Sequence, residues 1–265
     1  RRELLSHTET LWRPVFSPDG KDVAFSRYEV DGSWHTWIAP VSGGAAQRLT
    51  SGAVPEIYPD FTPDGKWVIY FTWAHPNRIF KVPRSGGVPV PVTPARNEDD
   101  AYGDVSPDGK WLAFARTEGD MTRVYIAPFE GGEGRLLTRS ASTLPRWSPD
   151  GRQIAFSPVR SYDGGIFVIS ADGSGEKRLT ETGSWPVWSP DGKHIKYLSV
   201  GPDGNQQIRM VSVQDPSSTA VVDVQFRDTN RPFDLLSPTL LVTTDSVHLG
   251  SEIWMLSPNR ITSSQ

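Results

Sequence analysis

Short apolar runs of four or five residues recur along the chain, each introduced by a polar turn. Val23-Ala24-Phe25-Ser26 is the first clear one. Val68-Ile69-Tyr70-Phe71, Leu112-Ala113-Phe114-Ala115, Ile154-Ala155-Phe156-Ser157 and Ile195-Lys196-Tyr197-Leu198 repeat it. Runs this short, rich in β-branched and aromatic residues, predict strands rather than helices. A second set follows after a variable loop: Trp37-Ile38-Ala39, Ile79-Phe80-Lys81-Val82, Val124-Tyr125-Ile126, Ile166-Phe167-Val168-Ile169 and Ile208-Arg209-Met210-Val211. A third set closes each unit: Arg48-Leu49-Thr50, Val90-Pro91-Val92-Thr93, Leu136-Leu137-Thr138, Arg178-Leu179-Thr180 and Val221-Val222-Asp223.

The polar turn is itself a repeat. Phe16-Ser17-Pro18-Asp19-Gly20 returns as Phe61-Thr62-Pro63-Asp64-Gly65, Val105-Ser106-Pro107-Asp108-Gly109, Trp147-Ser148-Pro149-Asp150-Gly151 and Trp188-Ser189-Pro190-Asp191-Gly192. Its aspartates stand at 19, 64, 108, 150 and 191, spaced by 45, 44, 42 and 41 residues. Proline presets φ for the turn, serine and aspartate satisfy local backbone donors, and glycine supplies the positive φ that returns the chain into an antiparallel partner. Four short antiparallel strands in a period of this length make a propeller blade.

The expected fold is therefore all-β: a six-bladed β-propeller, four antiparallel strands per blade, with residues 1–265 as one domain. The sixth unit is eroded. Ser237-Pro238 lacks the Asp-Gly, while Leu240-Leu241-Val242-Thr243 and Ile253-Trp254-Met255-Leu256 read as its second and third strands. Arg2-Glu3-Leu4-Leu5-Ser6 resembles Arg135-Leu136-Leu137-Thr138, so residues 2–6 are expected as the outer strand of the last blade, closing the ring and removing its open edge. Arg260-Ile261-Thr262 is the alternative for that place.

Composition narrows the function classes. A net charge of -4 with scattered Lys and Arg gives no basic field for nucleic acid. No apolar run approaches the roughly 20 residues of a membrane-spanning helix. The absence of cysteine excludes disulfides and thiolate metal sites, and fits an exported protein or a cytoplasmic one. The chain opens on two arginines without a secretory signal pattern, so residue 1 reads as a processing boundary or the edge of an excised piece.

Catalytic motifs are not evident. There is no Gly-x-Ser-x-Gly elbow, and Gly173-Ser174-Gly175 lies in a repeat turn. No phosphate-binding glycine loop appears. The histidines at 7, 35, 75, 194 and 248 have no zinc-site spacing. Asp172-Gly173-Ser174-Gly175 and Asp203-Gly204-Asn205 lack the alternating carboxylates of a calcium loop. Glu98-Asp99-Asp100, the densest acidic run, reads as a solvated loop. No cofactor is expected, with one exception left open: a divalent cation at the channel mouth, held by Asp60 and Asp104.

Loops on a rigid scaffold carry function, and two sets share one face here. Arg13, Tyr58, Tyr102, Leu144 and Trp185 stand at one spacing before the turns, with Phe233 at the corresponding place in the eroded unit. Trp34, Trp73, His75, Arg160, Tyr162 and His248 come from the loops between second and third strands. Aromatic and arginine side chains anchor protein and peptide interfaces. The binding candidates are accordingly Arg13, Tyr58, Trp73, His75, Tyr102, Arg160, Tyr162, Trp185 and His248. The alternative for the first set is that it plugs the channel.

The aromatic-Ser-Pro-Asp-Gly-Lys unit, with Ile-Ala-Phe after it and Arg-Leu-Thr at its end, resembles the repeat of TolB-type β-propellers over nearly the whole chain. The α/β domain that precedes the TolB propeller has no counterpart in this sequence. Val105 in place of the pre-turn aromatic and Gly103 in place of proline depart from the pattern. The resemblance implies a six-bladed, extracytoplasmic or periplasmic propeller, and no catalytic residue carries over from it. Two functions follow as expectations. One is a monomeric, non-enzymatic binding or scaffold module for a protein, peptide or small polar ligand, the sensor or interaction part of a larger bacterial envelope protein. The other is a propeller hydrolase or lyase, or a peptidase-gating domain, with a metal-assisted site at the channel mouth.

Overall fold

The computed structural model describes residues 10–158, 164–202 and 204–222 in full, together with the backbone strands inside 2–7, 233–237, 240–247, 250–256 and 261–263. The first strand, β1 (Arg2–His7), stands apart from the repeats. Blade 1 follows as β2 (Leu11–Phe16), β3 (Asp22–Tyr28), β4 (Trp34–Pro40) and β5 (Gln47–Arg48). Blade 2 is β6 (Glu56–Phe61), β7 (Trp67–Thr72), β8 (Ile79–Pro83) and β9 (Val90–Pro91). Blade 3 is β10 (Asp99–Val105), β11 (Trp111–Glu118), β12 (Met121–Pro128) and β13 (Arg135–Leu136). Blade 4 is β14 (Thr143–Trp147), β15 (Gln153–Ser157), β16 (Phe167–Ser170) and β17 (Lys177–Arg178). Blade 5 is β18 (Ser184–Trp188), β19 (His194–Val200), β20 (Gln206–Ser212) and β21 (Thr219–Val222). The chain ends with β22 (Phe233–Ser237), β23 (Leu240–Val247), β24 (Gly250–Leu256) and β25 (Ile261–Ser263).

The expectation of six blades is corrected to five. Five sheets are made from four consecutive strands after one Ser/Thr-Pro-Asp-Gly pattern. The remaining four-stranded sheet, in the order β1-β24-β23-β22, is not a sixth copy but a composite of both ends of the chain. The Asp-Gly of the repeat turn is lost at Ser237-Pro238, and among the described residues the strand that follows β24 joins the blade 5 sheet instead. β1 runs antiparallel to β24, with Arg2 opposite Met255 and His7 opposite Ser251. Residues 260–262, the alternative candidate for that edge, lead elsewhere: β25 adds antiparallel to β21 as a fifth strand of the blade 5 sheet.

The repeat turn is held by its own side chains. Ser17 Oγ donates to Asp19 Oδ1 at 2.7 Å, and the same carboxylate oxygen accepts the Lys21 N–H. The Asp22 N–H donates back to Ser17 Oγ, and the Gly20 N–H to the Ser17 carbonyl. The hydroxyl-to-carboxylate bond recurs at Thr62–Asp64, Ser106–Asp108, Ser148–Asp150 and Ser189–Asp191. The turn glycines all take positive φ, between 66 and 73°, where a β-carbon is disfavoured.

Blades adhere through apolar faces. Val15, Ala24, Ile38 and Leu49 of blade 1 and its following loop pack on Phe61, Val68, Tyr70 and Val82 of blade 2. Trp147, Ile154 and Phe156 of blade 4 pack on Ala113, Val124 and Ile126 of blade 3, and Trp188 of blade 5 continues the series against Ala155 and Val168. The pre-turn aromatic thus inserts into the preceding blade, contributing about 2–3 kcal/mol of apolar burial for a side chain of this size. Blade 3 carries Val105 there, and Gly103 behind it. A β-carbon on Gly103 would sit 3.0 Å from Leu112 Cδ1 and 3.3 Å from Ile79 Cδ1, so close packing takes the place of the proline found in the other blades.

Hydrogen bonding from Ser148 first, and from the Arg152 N–H, holds the Asp150 carboxyl below its ordinary value of 3.8, as the equivalent bonds do in the other four turns. A depressed folded-state pKa adds stability that is present above the unfolded value and lost as pH falls through the folded one. Asp150→Asn is therefore expected to lower the melting temperature at pH 7 by about 1–2 °C, a small effect because the group is exposed. That gap should close between pH 4 and pH 2 in thermal melts. A gap that stays constant or widens in acid contradicts this role.

Candidate functional site

The inner strand of each blade carries one irregularity at one place. The register shifts between Trp12 and Val15, Ile57 and Asp60, Ala101 and Asp104, Thr143 and Arg146, and Ser184 and Val187. Within these bulges Arg13, Tyr58, Tyr102, Leu144 and Trp185 take φ of 54 to 60°. A non-glycine residue in this region costs on the order of 1–3 kcal/mol and persists only where the surroundings enforce it. The bulges re-aim these five side chains to one meeting point.

Tyr58 is the hub there. Its ring stacks on Trp185 with centroids 5.9 Å apart and planes 2° from parallel. It meets Tyr102 edge-on at 4.9 Å and Trp12 at 4.7 Å, and stacks on Phe71 at 5.1 Å. The Arg13 guanidinium lies 5.9 Å from the Trp185 ring centre. Between these groups, Leu144 and Arg146, the remaining cavity is about 10 Å³, near the minimum for a single water. Arg13, Tyr58, Tyr102, Leu144 and Trp185 of the sequence reading are thus brought together, and among the described residues they fill the space they enclose.

Asp60 and Asp104 meet at the same place. Arg146 Nη1 donates to Asp60 Oδ2 and lies 3.3 Å from Asp104 Oδ1. Arg13 Nη2 is 3.7 Å from Asp60 Oδ2, and Asp104 Oδ2 accepts the Trp147 N–H at 2.5 Å. A guanidinium therefore stands where a shared cation would need these carboxylates. Among the described residues no three His, Asp or Glu side chains converge in a metal-binding group.

A cleft of about 480 Å³ is lined by residues of blades 1 to 4, most of them from blades 2 and 3. Trp12, Tyr58, Phe71 and Tyr102 line it together with Trp73, which is 55% exposed. His75, whose side chain is 81% exposed, donates through Nδ1 to Asp99 Oδ2 at 2.6 Å, and Asp99 Oδ1 accepts the Asn77 N–H at 2.6 Å. Thr117 and Thr122 bond each other at 2.8 Å, and Asp120 completes that wall. Two lining residues carry buried polar atoms without a hydrogen-bond partner among the described residues: Asn77 Oδ1 and Thr143 Oγ1. Trp73, His75, Tyr58 and Tyr102 of the sequence reading meet here. Arg160, Tyr162 and His248 lie outside the described residues, and Phe233 is placed only as the start of β22.

Sequence reasoning missed Asp99, Asn77, Asp120 and Thr143. The acidic run is not a solvated loop: residues 99 and 100 open β10, and strand alternation separates them. Asp100 is fully buried in a two-pronged pair with Arg116, at 2.7 and 2.9 Å, while Asp99 lines the cleft. Arg116, placed directly after the apolar run Leu112-Ala113-Phe114-Ala115, was the available signal, because a strand arginine there needs a buried counter-charge. Asp172, by contrast, is occupied by its own turn, accepting from the Ser174 N–H and Oγ.

Repeated four-stranded blades with bulged inner strands define a β-propeller. The chain belongs to the TolB beta propeller domain family, whose pattern matches residues 1–144. The Tol-Pal system protein TolB of Syntrophus aciditrophicus (strain SB) is 39% identical over 74 residues, 26% of this chain. That segment covers only 16% of the relative's own length. Two solved structures share the fold. The putative TolB from Agrobacterium tumefaciens superposes with a TM-score of 0.74 at 20% identity, over 97% of this chain and 93% of that one. An oligogalacturonate lyase in complex with manganese gives 0.70 at 14% identity, with the same coverage of each.

Removing the guanidinium between the two axial carboxylates should be costly. Arg146→Met is expected to destabilise the protein by about 2–3 kcal/mol, a fall of roughly 5–10 °C in melting temperature. Adding Asp60→Asn and Asp104→Asn should recover part of the loss. A single variant that melts within 1 °C of the parent (about a quarter to half of a kcal/mol) contradicts the assignment.

Proposed function

We propose that this propeller is a non-enzymatic binding module, and that its ligand site is the off-axis cleft rather than the axis. The observation that carries this reading is the pairing of the exposed Trp73 with a concave aromatic floor. A cleft of this size suits a peptide segment or a small polar ligand. An indole held in water beside such a concavity is a ready anchor, as tryptophan is at interface hot spots. The unpartnered Thr143 hydroxyl adds to the case, because satisfying a buried polar group recovers free energy on binding. Trp73, His75, Tyr58 and Tyr102 are the contact residues of this proposal. Membership of the TolB beta propeller domain family supports a protein or peptide partner and an extracytoplasmic setting, as the sensor or interaction part of a larger envelope protein. Among the described residues no helix is long and apolar enough to cross a membrane.

One observation favours a second reading. His75 paired with Asp99 is an oriented imidazole at the rim of a cleft, the arrangement of a general base. The fold is shared with a lyase that acts on oligogalacturonate and holds manganese. Against that substrate class, the described cleft lining carries Asp99 and Asp120 and no Lys or Arg to meet an acidic sugar.

The test is a thermal-shift and tryptophan-fluorescence titration with pooled peptides and neutral and acidic oligosaccharides. A ligand at 100 times its dissociation constant should stabilise the protein by about 2.7 kcal/mol. Trp73→Ala should abolish that response while leaving the unliganded melting temperature within about 1 °C, since the side chain is largely exposed. Stabilisation that persists in Trp73→Ala contradicts the cleft. Consumption of the ligand, lost in His75→Asn, would replace the binding module by the enzyme.

A further inference from the structure

The charged groups of the described cleft lining are carboxylates, apart from His75, which is paired with Asp99. Asp99 and Asp120 are carboxylates, Asn77 Oδ1 is an acceptor without a donor, and Thr143, 5% exposed, holds a hydroxyl oxygen with no partner among the described residues. No lysine or arginine lines the cleft among the described residues. The nearest cationic side chain on the same strands, Arg116, is consumed by Asp100 in the core and faces away from Asp99. The rest of the lining is π surface: Trp12, Tyr58, Phe71, Trp73 and Tyr102.

A ligand that complements such a surface must bring donors and positive charge on an apolar stem. Aromatic faces attract a cation placed within about 6 Å of the ring centre, by about 0.5–2 kcal/mol depending on desolvation. Carboxylates take the remaining N–H groups through charge-assisted hydrogen bonds. An acidic group would meet like charge from Asp99 and Asp120 instead.

We propose that the cleft receives a basic side chain, arginine or lysine, of a partner polypeptide. Trp73 covers the side-chain stem, and Asp99 and Asp120 meet its charged end. This rests on the reading of the cleft as the ligand site.

The probes are acetylated, amidated Gly-Gly-X-Gly-Gly peptides with X as arginine, lysine, citrulline or glutamate. The signal is the Trp73 indole N–H in nitrogen-15 NMR, assigned with Trp73→Phe. Arginine and lysine peptides should saturate that signal at least about tenfold more tightly than citrulline, the neutral isostere of arginine, or glutamate. Asp120→Asn should weaken the arginine peptide about three- to tenfold and leave citrulline unchanged. Asp99→Asn should do the same, and Asp120, which makes no hydrogen bond among the described residues, serves if the Asp99 variant disturbs the loop. If citrulline binds within twofold of arginine, or glutamate binds better, the basic side chain is wrong while the cleft remains the site. If no probe saturates Trp73, the inference falls, and the cleft reading falls with it when the pooled ligands also leave Trp73 unmoved.

Discussion

The loop face depends on one backbone constraint: five non-glycine residues held in the left-handed region at equivalent bulges. Each bulge turns a side chain out of its sheet, and five blades aim five side chains at one place. The conformational cost is met by what they find there, above all the stack of Tyr58 on Trp185 and its edge contacts with Tyr102 and Trp12. Substituting smaller residues would relax no strain, since the φ angle belongs to the bulge, but would remove the contacts that offset it. Among the described residues the meeting point is therefore filled by the same feature that makes the blades alike.

Closing the axis decides where a ligand can go. The carboxylates of Asp60 and Asp104 are bridged by Arg146 and serve to bind blade to blade. Among the described residues a cleft of about 480 Å³ lies beside this plug, and Tyr58 and Tyr102 form part of its floor. The plug and the cleft share these two rings, so the rigid aromatic core supports the surface that meets a partner. Preorganisation of this kind lowers the ordering cost of binding.

The fold was readable because its signals are local and repeated. Apolar runs gave the strands, and Ser-Pro-Asp-Gly gave the turns with their mechanism. The composite sheet was harder. Its N-terminal strand was expected from the likeness of residues 2–6 to residues 135–138, but the Asp-Gly turn that marks the other five is lost at Ser237-Pro238, and counting this sheet as an equivalent blade put the number one too high. The addition of β25 to β21 is likewise invisible in sequence. At the site, Trp73 and His75 stood out because such residues are conspicuous in a polar loop. The filling of the axis stood only as the alternative reading, because Arg, Tyr, Leu and Trp have no common preference for positive φ that would decide it. Asp99 and Asp100 were hidden by composition: two adjacent acids read as solvated, while strand alternation sends one to a buried arginine and the other to the cleft.

The most direct test of the account is hydroxyl-radical footprinting read by mass spectrometry, with and without a saturating ligand. Trp73 should oxidise quickly in the free protein and become protected by ligand, while Tyr58, which is buried, should react slowly in both states. Fast oxidation of Tyr58 that the ligand suppresses, with Trp73 unaffected, would mean that the axis is open and is the binding site, contradicting the account.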